Sequence, residues 1–206
     1  MEQRTTFCAF ILAGGRNSRM GTNKALLRTA ADSPNLIERV IDRVRSAGAR
    51  NIYILANEPD PYEYLDLPVV RDEAGVQGPL AGIISGLRAS PCDHNLTLAC
   101  DMPNIEVGFI SYMTSVIGDY DALVPRWADE RGNLHLEPLH AVYRRSALPK
   151  MESCASRGEF ALHSCLKHLH VRYIEGAQLL PFKPARFMFR NLNSQAEWKD
   201  FVCDGP

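Results

Sequence analysis

The stretch Phe10-Ile-Leu-Ala-Gly-Gly-Arg-Asn-Ser-Arg-Met-Gly-Thr-Asn-Lys-Ala-Leu26 decides the fold, because an apolar run stops at two glycines and a cationic loop follows. Glycine permits φ > 0 and lets backbone N–H groups approach a ligand closely, while Arg16, Arg19 and Lys24 bring positive charge. A strand that empties into such a loop is a common way for an α/β protein to hold polyphosphate. The spacing is not that of a P-loop: five residues separate Gly15 from Gly21, and Lys24 does not follow Gly21 directly. No glycine spacing here fits the dinucleotide fingerprint either.

Outward from this stretch the pattern is βαβ. Residues 7–12 read as a buried first strand. Ser33-Pro34 predicts a helix start, with a cap residue followed by proline at the first helical position. Leu36, Ile37, Val40, Ile41 and Val44 then recur at helical spacing, and Gly48 stops the run. Residues 51–56 form the second strand and 68–70 a short third. A glycine-rich loop over 75–82 leads into a helix through Ile83, Ile84 and Leu87. Residues 96–100 are another buried strand, ending at Asp101-Met-Pro103. A helix follows from Val107 with Asn104 as cap, then a short strand over 122–124.

The polar segment from Trp127 to Asn133 carries a Gly-Asn turn signal and reads as a hairpin standing over the sheet end. Residues 146–169 read as helical with a break near Gly158, and 171–174 and 187–191 both read as strands. Ser194-Gln-Ala-Glu197 is a capping box for a last short helix with Trp198 and Phe201. The expectation is one α/β domain with a mostly parallel sheet and its loops gathered at one edge.

Composition bounds the function. A chain of 206 residues fits one compact domain. A net charge of −1 argues against a dedicated nucleic-acid binder, which needs a strongly basic surface. The positive charge is local instead, in Arg16, Arg19 and Lys24 and again in Arg144 and Arg145, an arrangement suited to a small anion. No apolar run is long enough to span a bilayer, and no secretory signal pattern precedes the first strand. The six cysteines are scattered without a C-x-x-C pair, which weakens metal-cluster and disulfide-scaffold readings. Cys8 and Cys100 lie in apolar runs and are expected as buried, reduced thiols in a cytoplasmic protein.

Ligands of open α/β sheets bind outside the carboxyl ends of the strands. The four strand ends here offer Leu12-Ala-Gly-Gly15, Asn57, Asp72 and Asp101, with Lys24 close in sequence. Carboxylates beside a phosphate loop call for a mediating divalent cation, and Mg²⁺ is typically held by one or two carboxylates plus substrate phosphates. Asp101 is the first candidate ligand. The competing readings are structural: a strand-end Asp is often a turn or helix cap, Asp72 sits in a charged turn with Arg71 and Glu73, and His140 lies on an apolar stretch as a packed histidine. Met20 and Met102 read as gap-filling contacts, and Arg39, Arg43 and Arg45 as a solvated helix face.

These residues resemble a known family. Leu12-Ala-Gly-Gly-Arg-Asn-Ser-Arg-Met-Gly-Thr-Asn-Lys24 is similar to the L-A-G-G-x-S-x-R-M-G-x-x-K signature of nucleotidyltransferases. Gly78-Pro-Leu-Ala-Gly82, Cys100-Asp-Met-Pro103 and Asn191-Leu-Asn193 resemble motifs of the molybdenum cofactor guanylyltransferase family, the MobA type, in the family's order along nearly the whole chain. The Gly-Gly loop resembles the guanylyl-transferring rather than the cytidylyl-transferring members.

The resemblance implies a Rossmann-like α/β/α sandwich with a mixed sheet, and transfer of GMP from GTP to molybdopterin with Mg²⁺. It assigns GTP contacts to Leu12, Ala13, Gly14, Gly15, Lys24, Asp72, Gly78 and Asp101. Asn57 stands beside another such contact, for which Leu55 is the alternative counterpart. It assigns metal binding to Asp101 and Asn193, and catalytic charge neutralisation to Arg19, Lys24 and Asp101. It divides the domain into an N-terminal GTP half and an acceptor side over about residues 125–190, with cofactor-biosynthesis or apo-molybdoenzyme proteins as partners. Two rival expectations stay open: a related transferase with another nucleotide or acceptor, and a non-catalytic GTP-binding protein that delivers cofactor.

Overall fold

A computed structural model describes residues 6–14, 23–28, 32–192, 197 and 201. Its centre is β1 (Phe7–Leu12), whose residues are apolar at every position because both faces of the strand are covered. Phe7, Ala9 and Ile11 pack into one core layer, Cys8 and Phe10 into the other.

 On either side of it run β2 (Asn51–Leu55) and β4 (His94–Ala99), both parallel to β1, in the registers Leu12↔Leu55 and Leu12↔Ala99. Beyond β2 lies β3 (Val69–Val70), also parallel. Beyond β4 lie β7 (His140–Arg144) and β5 (Ala122–Ala128), each antiparallel to its inner neighbour, and β6 (Leu134–Leu136) at the edge. The eighth strand, β8 (Val171–Ile174), pairs in parallel with β5, so the sheet order is β3-β2-β1-β4-β7-β5-β6 with β8 off this path. The sheet is therefore mixed, as expected.

Helices cover both faces. The apolar stripe of α1 (Leu36–Ser46) joins Phe109, Ile110 and Met113 of α3 (Val107–Val116) on one face. On the other, α2 (Pro79–Ala89) packs with α4 (Leu148–Ser156) and the short α5 (Leu162–Cys165). The chain leaves β1 towards β2 and then β3 on one side, and returns to place β4 on the other. The gap at the carboxyl ends of β1 and β4 is thus a topological switch point, where open α/β sheets take their ligands.

Several local expectations are corrected. The cap of α1 is Asn35, not Ser33: its side chain accepts from Glu38 N (3.0 Å), while Glu38 accepts from Asn35 N (2.7 Å). Pro34 therefore precedes the cap instead of opening the helix. Residues 79–82 are the first turn of α2 and not loop, since Pro79 is tolerated at a first helical position and Gly78 (φ +70°) makes the turn before it. Glu106, not Asn104, holds the N-cap position of α3, without a side-chain bond to the helix, while Asn104 donates from Nδ2 to Phe187 O at 3.0 Å. The expected strand over 187–191 is replaced by a short helix, α6 (Ala185–Met188). The strand beginning at 122 runs on to Ala128 because its last residues pair with β6.

Arg144 and Arg145 serve the fold and not an anion site: Arg144 pairs with Asp93 and Asp119, and Arg145 donates to Ser90 O. Cys8 is not a reduced thiol, because it forms a disulfide with Cys92. The β1–β4 pairing brings together two cysteines 84 positions apart, a proximity that no local pattern encodes. Cys100, by contrast, is free and buried as expected. The expected capping box at Ser194 and the Trp198 contact lie outside the described residues.

Candidate active site

A cleft of about 960 Å³ opens at the carboxyl ends of β1, β2 and β3. Its walls include Leu12, Ala13 and Gly14 after β1, Asn57 after β2, Asp72 after β3, and Gly78 at the start of α2. Six of the expected nucleotide contacts thus share one hollow. The reason is topological: parallel strands deliver all their carboxyl ends to the same edge.

The first wall is held by the neighbouring strand. Ala13 N–H and Gly14 N–H both donate to Leu55 O, at 3.1 and 3.0 Å. These two amides are therefore already engaged, and what Ala13 and Gly14 present to the cleft is small, close-fitting backbone. A Cβ on Gly14 would lie 3.4 Å from Ala56 Cα and from Leu55 O, so the glycine permits this close approach.

Asn57 and Asp72 form a two-point clasp across β2 and β3. Asn57 Nδ2 donates to Asp72 Oδ2 at 2.7 Å, and Asp72 N–H donates to Asn57 Oδ1 at 3.0 Å. On the opposite side, a Cβ on Gly82 would stand 3.1 Å from Asp72 Oδ1, so α2 approaches this carboxylate through a bare backbone. Gln77, Gly78 and Pro79 bring the N-terminal end of α2 to the same cleft, and its cap residue, Gly78, has no side chain to occupy that end. The helix dipole there favours negative charge.

Lys24 and Asp101 stand beside the cleft and do not line it. Asn23, which does line it, precedes Lys24 at the start of a 3₁₀ turn (Lys24–Leu26). Cys100 N–H donates to Leu12 O at 3.1 Å, which sets Asp101 next to the end of β1. Lys24 Nζ and Asp101 Oδ2 are 4.0 Å apart, with side chains 28% and 23% exposed. Burial raises the Asp101 carboxyl above the ordinary range, and Lys24 opposes that shift. Burial, with the adjacent Asp101 charge, pushes the Cys100 thiol up to about 12, so it stays protonated and is no nucleophile near neutral pH.

Gly15, Arg19 and Asn193, the remaining expected site residues, lie outside the described residues. Tyr62 was not anticipated. It is buried in the 3₁₀ helix after β2 (Asp60–Leu65), and its hydroxyl donates to Ala13 O at 2.9 Å while accepting from Asn23 Nδ2 at 3.0 Å. One phenol thus joins the segment after β1 to the segment before Lys24. The sequence signal was Pro59-Asp-Pro61-Tyr62 immediately past a strand end, a breaker followed by a large aromatic with a polar tip.

A second hollow of about 470 Å³ lies between residues 127–131, in the β5–β6 hairpin, and residues 184–186. Arg186 pairs across it with Glu130 and stacks over Phe187, its guanidinium 4.9 Å from the ring centre. At the foot of the hairpin, Trp127 Nε1 donates to Glu137 Oε1 at 2.8 Å. His140 takes no part in either hollow. It is fully buried against Phe109 and Phe189, and burial holds its imidazole down at about 3.

The profile described as the MobA-like NTP transferase domain matches residues 9–172, from β1 to β8. The chain belongs to this family. It is 31% identical over 205 residues to the molybdenum cofactor guanylyltransferase of Syntrophotalea carbinolica, covering 96% of this chain and 91% of that protein. It is 32% identical over 198 residues to a probable molybdenum cofactor guanylyltransferase of Clostridium perfringens, covering 94% and 95%. A solved structure, molybdopterin-guanine dinucleotide biosynthesis protein A from Archaeoglobus fulgidus, superposes with a TM-score of 0.75 at 24% identity over 93% of this chain and 95% of that one. At that identity the superposition speaks for the fold. It agrees with the mixed sheet described above.

Proposed function

We infer that this protein is a molybdenum cofactor guanylyltransferase, which transfers GMP from GTP to molybdopterin and releases pyrophosphate. The observation that carries this reading is its likeness, over almost its full length, to proteins of that name. In the reaction, an oxygen of the terminal phosphate of molybdopterin bonds to the α-phosphorus of GTP. The bond from that phosphorus to the bridging oxygen breaks, and pyrophosphate leaves with the electron pair. The nucleophile is already anionic, so no strong general base is required. The protein's task is to neutralise charge and to hold the groups in line.

The residues divide that task. GTP lies in the cleft between the β1 end and the α2 N-terminus, where the Asn57–Asp72 clasp supplies polar groups already fixed in place. Lys24, beside the cleft, and Arg19 meet the charge that grows on the departing pyrophosphate. Such electrostatic stabilisation is worth roughly 3–4 kcal/mol per well-placed donor.

Asp101 suits a divalent cation. Its carboxyl is raised by burial, and a second cation beside Lys24 would lower the cost of keeping it ionised. We assign Mg²⁺ to Asp101, with Asn193 as a further ligand. Bound there, the ion would supply charge neutralisation at the phosphates. The hollow between the hairpin and residues 184–186 falls within the part of the chain, about 125–190, that we assign to the acceptor. No helix among the described residues is long and apolar enough to cross a membrane, and we assign the enzyme to the cytoplasm, where its GTP is supplied.

The test is pyrophosphate release from GTP and Mg²⁺, with and without molybdopterin. Release that depends on molybdopterin and is outcompeted by no other nucleotide supports guanylyl transfer. Preferential use of CTP would instead make the protein a cytidylyltransferase. GTP binding without any release would make it a delivery protein.

A further inference from the structure

A second cluster of reactive side chains lies apart from both hollows, where α4 ends. Gly158, at φ +76°, turns the chain after the helix. Gly158 N–H then donates to Ala155 O and Glu159 N–H to Cys154 O, each at 3.0 Å, which folds the Glu159 segment back over the last turn of α4. The chain continues into α5 and a 3₁₀ turn (Leu166–His168), which brings His168 Nε2 to 2.9 Å from Glu159 Oε2. The Cys154 sulfur, a Glu159 oxygen and a His168 ring nitrogen all lie within 4.8 Å of one another. Cys165, the last residue of α5, is buried in the same core cluster as Cys154.

This spot already draws a cation. Arg157 donates from Nε to Glu159 Oε1 at 2.9 Å and from Nη2 to Cys154 Sγ at 3.6 Å. Its side chain is 44% exposed and also donates from Nη1 to Ser153 Oγ at 2.6 Å. Two ligand atoms at tetrahedral angles on one zinc ion stand about 3.3–3.8 Å apart. Cys154, Glu159 and His168, already gathered within 4.8 Å, reach that spacing by small rotamer adjustments, and Cys165 must turn towards them from the adjoining core.

We propose that Cys154, Glu159, Cys165 and His168 form a Zn²⁺ site. A set of two thiolates, one imidazole and one carboxylate selects zinc over magnesium, because magnesium prefers all-oxygen ligands. Both thiols give up their protons to solvent when the ion binds, and Arg157 turns away to make room. With four protein ligands the site has no open position. Its role is structural, to tie α5 and the 3₁₀ turn to the end of α4, and it is independent of the nucleotide cleft. The motif, C-x4-E-x5-C-x2-H, lacks the close cysteine pair by which zinc sites are commonly recognised in sequences.

The probe is Co²⁺ alone, titrated into full-length protein stripped with EDTA, followed by Zn²⁺ as competitor. The expected result is a sulfur-to-cobalt charge-transfer band that saturates at one equivalent and is bleached by Zn²⁺. Oxygen ligands such as Asp101 cannot produce that band, so Asp101→Asn leaves it unchanged. Cys154→Ser weakens it, because Cys165 remains as a sulfur ligand, and the pair Cys154→Ser with Cys165→Ser removes it. His168→Gln, an exposed change that does not threaten folding, weakens Co²⁺ binding by at least the roughly 10–100-fold seen when a mere outer partner is lost. Arg157→Ala tightens binding, and saturating Zn²⁺ raises Tm by several degrees, on the order expected for a ligand specific to the folded state. Absence of the band in the wild-type protein, an undiminished band in Cys154→Ser, or its survival when both cysteines are replaced would overturn the proposal.

Discussion

Asp101 draws its character from where β4 stops. Its carboxyl is partly buried and faces Lys24 at 4.0 Å, and the proposed role of the pair in holding phosphate and a cation rests on that arrangement. Asp101→Asn keeps the shape and removes the charge. Turnover should then fall by about 10²–10³ or more, the range for losing one preorganised electrostatic group, with the fold intact by circular dichroism. Near-normal turnover in that variant would remove Asp101 from the mechanism. Tyr62 acts one step further back, as a positioning residue. Tyr62→Phe deprives Ala13 O and Asn23 of a shared partner at a cost of about 1–3 kcal/mol for the unsatisfied groups. Because the loss falls on the wall of the cleft, the KM for GTP should rise several-fold while kcat changes less. A fall in kcat at constant KM would place Tyr62 in the chemistry instead. At this scale Asp72 and Asp101 were legible as carboxylates at strand ends, and the structure sets Asp72 in the cleft wall and Asp101 beside it. Tyr62 was not, because its partners lie 39 and 49 positions away.

The elements with strong periodicity, β1, α1 and β2, were legible because each buries a regular pattern of apolar side chains. The start of α2 was not. Its first turn contains Pro79 and Gly82, which read as loop until the apolar residues of the whole helix are seen to pack on the sheet. A second glycine in α2 shows what the sheet demands of this helix. A Cβ on Gly86 would lie 3.0–3.1 Å from three carbons of the Phe10 ring, which is fully buried and edge-packed against Tyr53. Alanine at this position gains roughly 1 kcal/mol in helix propensity. Overpacking a core costs about 1–3 kcal/mol, and a ring enclosed on all sides cannot yield cheaply. Gly86→Ala should therefore be destabilising on balance, by up to about 2 kcal/mol in urea unfolding. Equal or greater stability would show that α2 can move off β1 without penalty.

For the whole molecule, the class of fold was legible and the sheet order was not. Strand patterns reveal that β4, β5 and β7 are apolar, but only tertiary packing inserts β7 between the other two in the opposite direction. Strand pairing fixes two long-range features hidden from local patterns. The β1–β4 pairing brings Cys8 to Cys92, and the placing of β7 beside β4 carries His140 into the core opposite Leu98. The histidine couples the stability of the whole domain to pH. Neither ring nitrogen has a hydrogen-bond partner among the described residues, and burial lowers the imidazole from 6.5 to about 3. Its folded-state value is depressed, so the unfolded chain takes up a proton between pH 6.5 and about 3 while the folded one does not. Stability is therefore complete above pH 6.5 and is lost as pH falls through this window, by at most about 1.4 kcal/mol per pH unit. His140→Leu removes both the titration and two unpaired polar atoms, at a position whose neighbours include two phenylalanines. Urea unfolding at pH 7 and pH 5 should show the wild-type protein losing about 2 kcal/mol more than the variant. Carboxylates elsewhere titrate in both proteins and cancel in that difference. If the two proteins lose stability in parallel, His140 is not the group through which acid reaches the core.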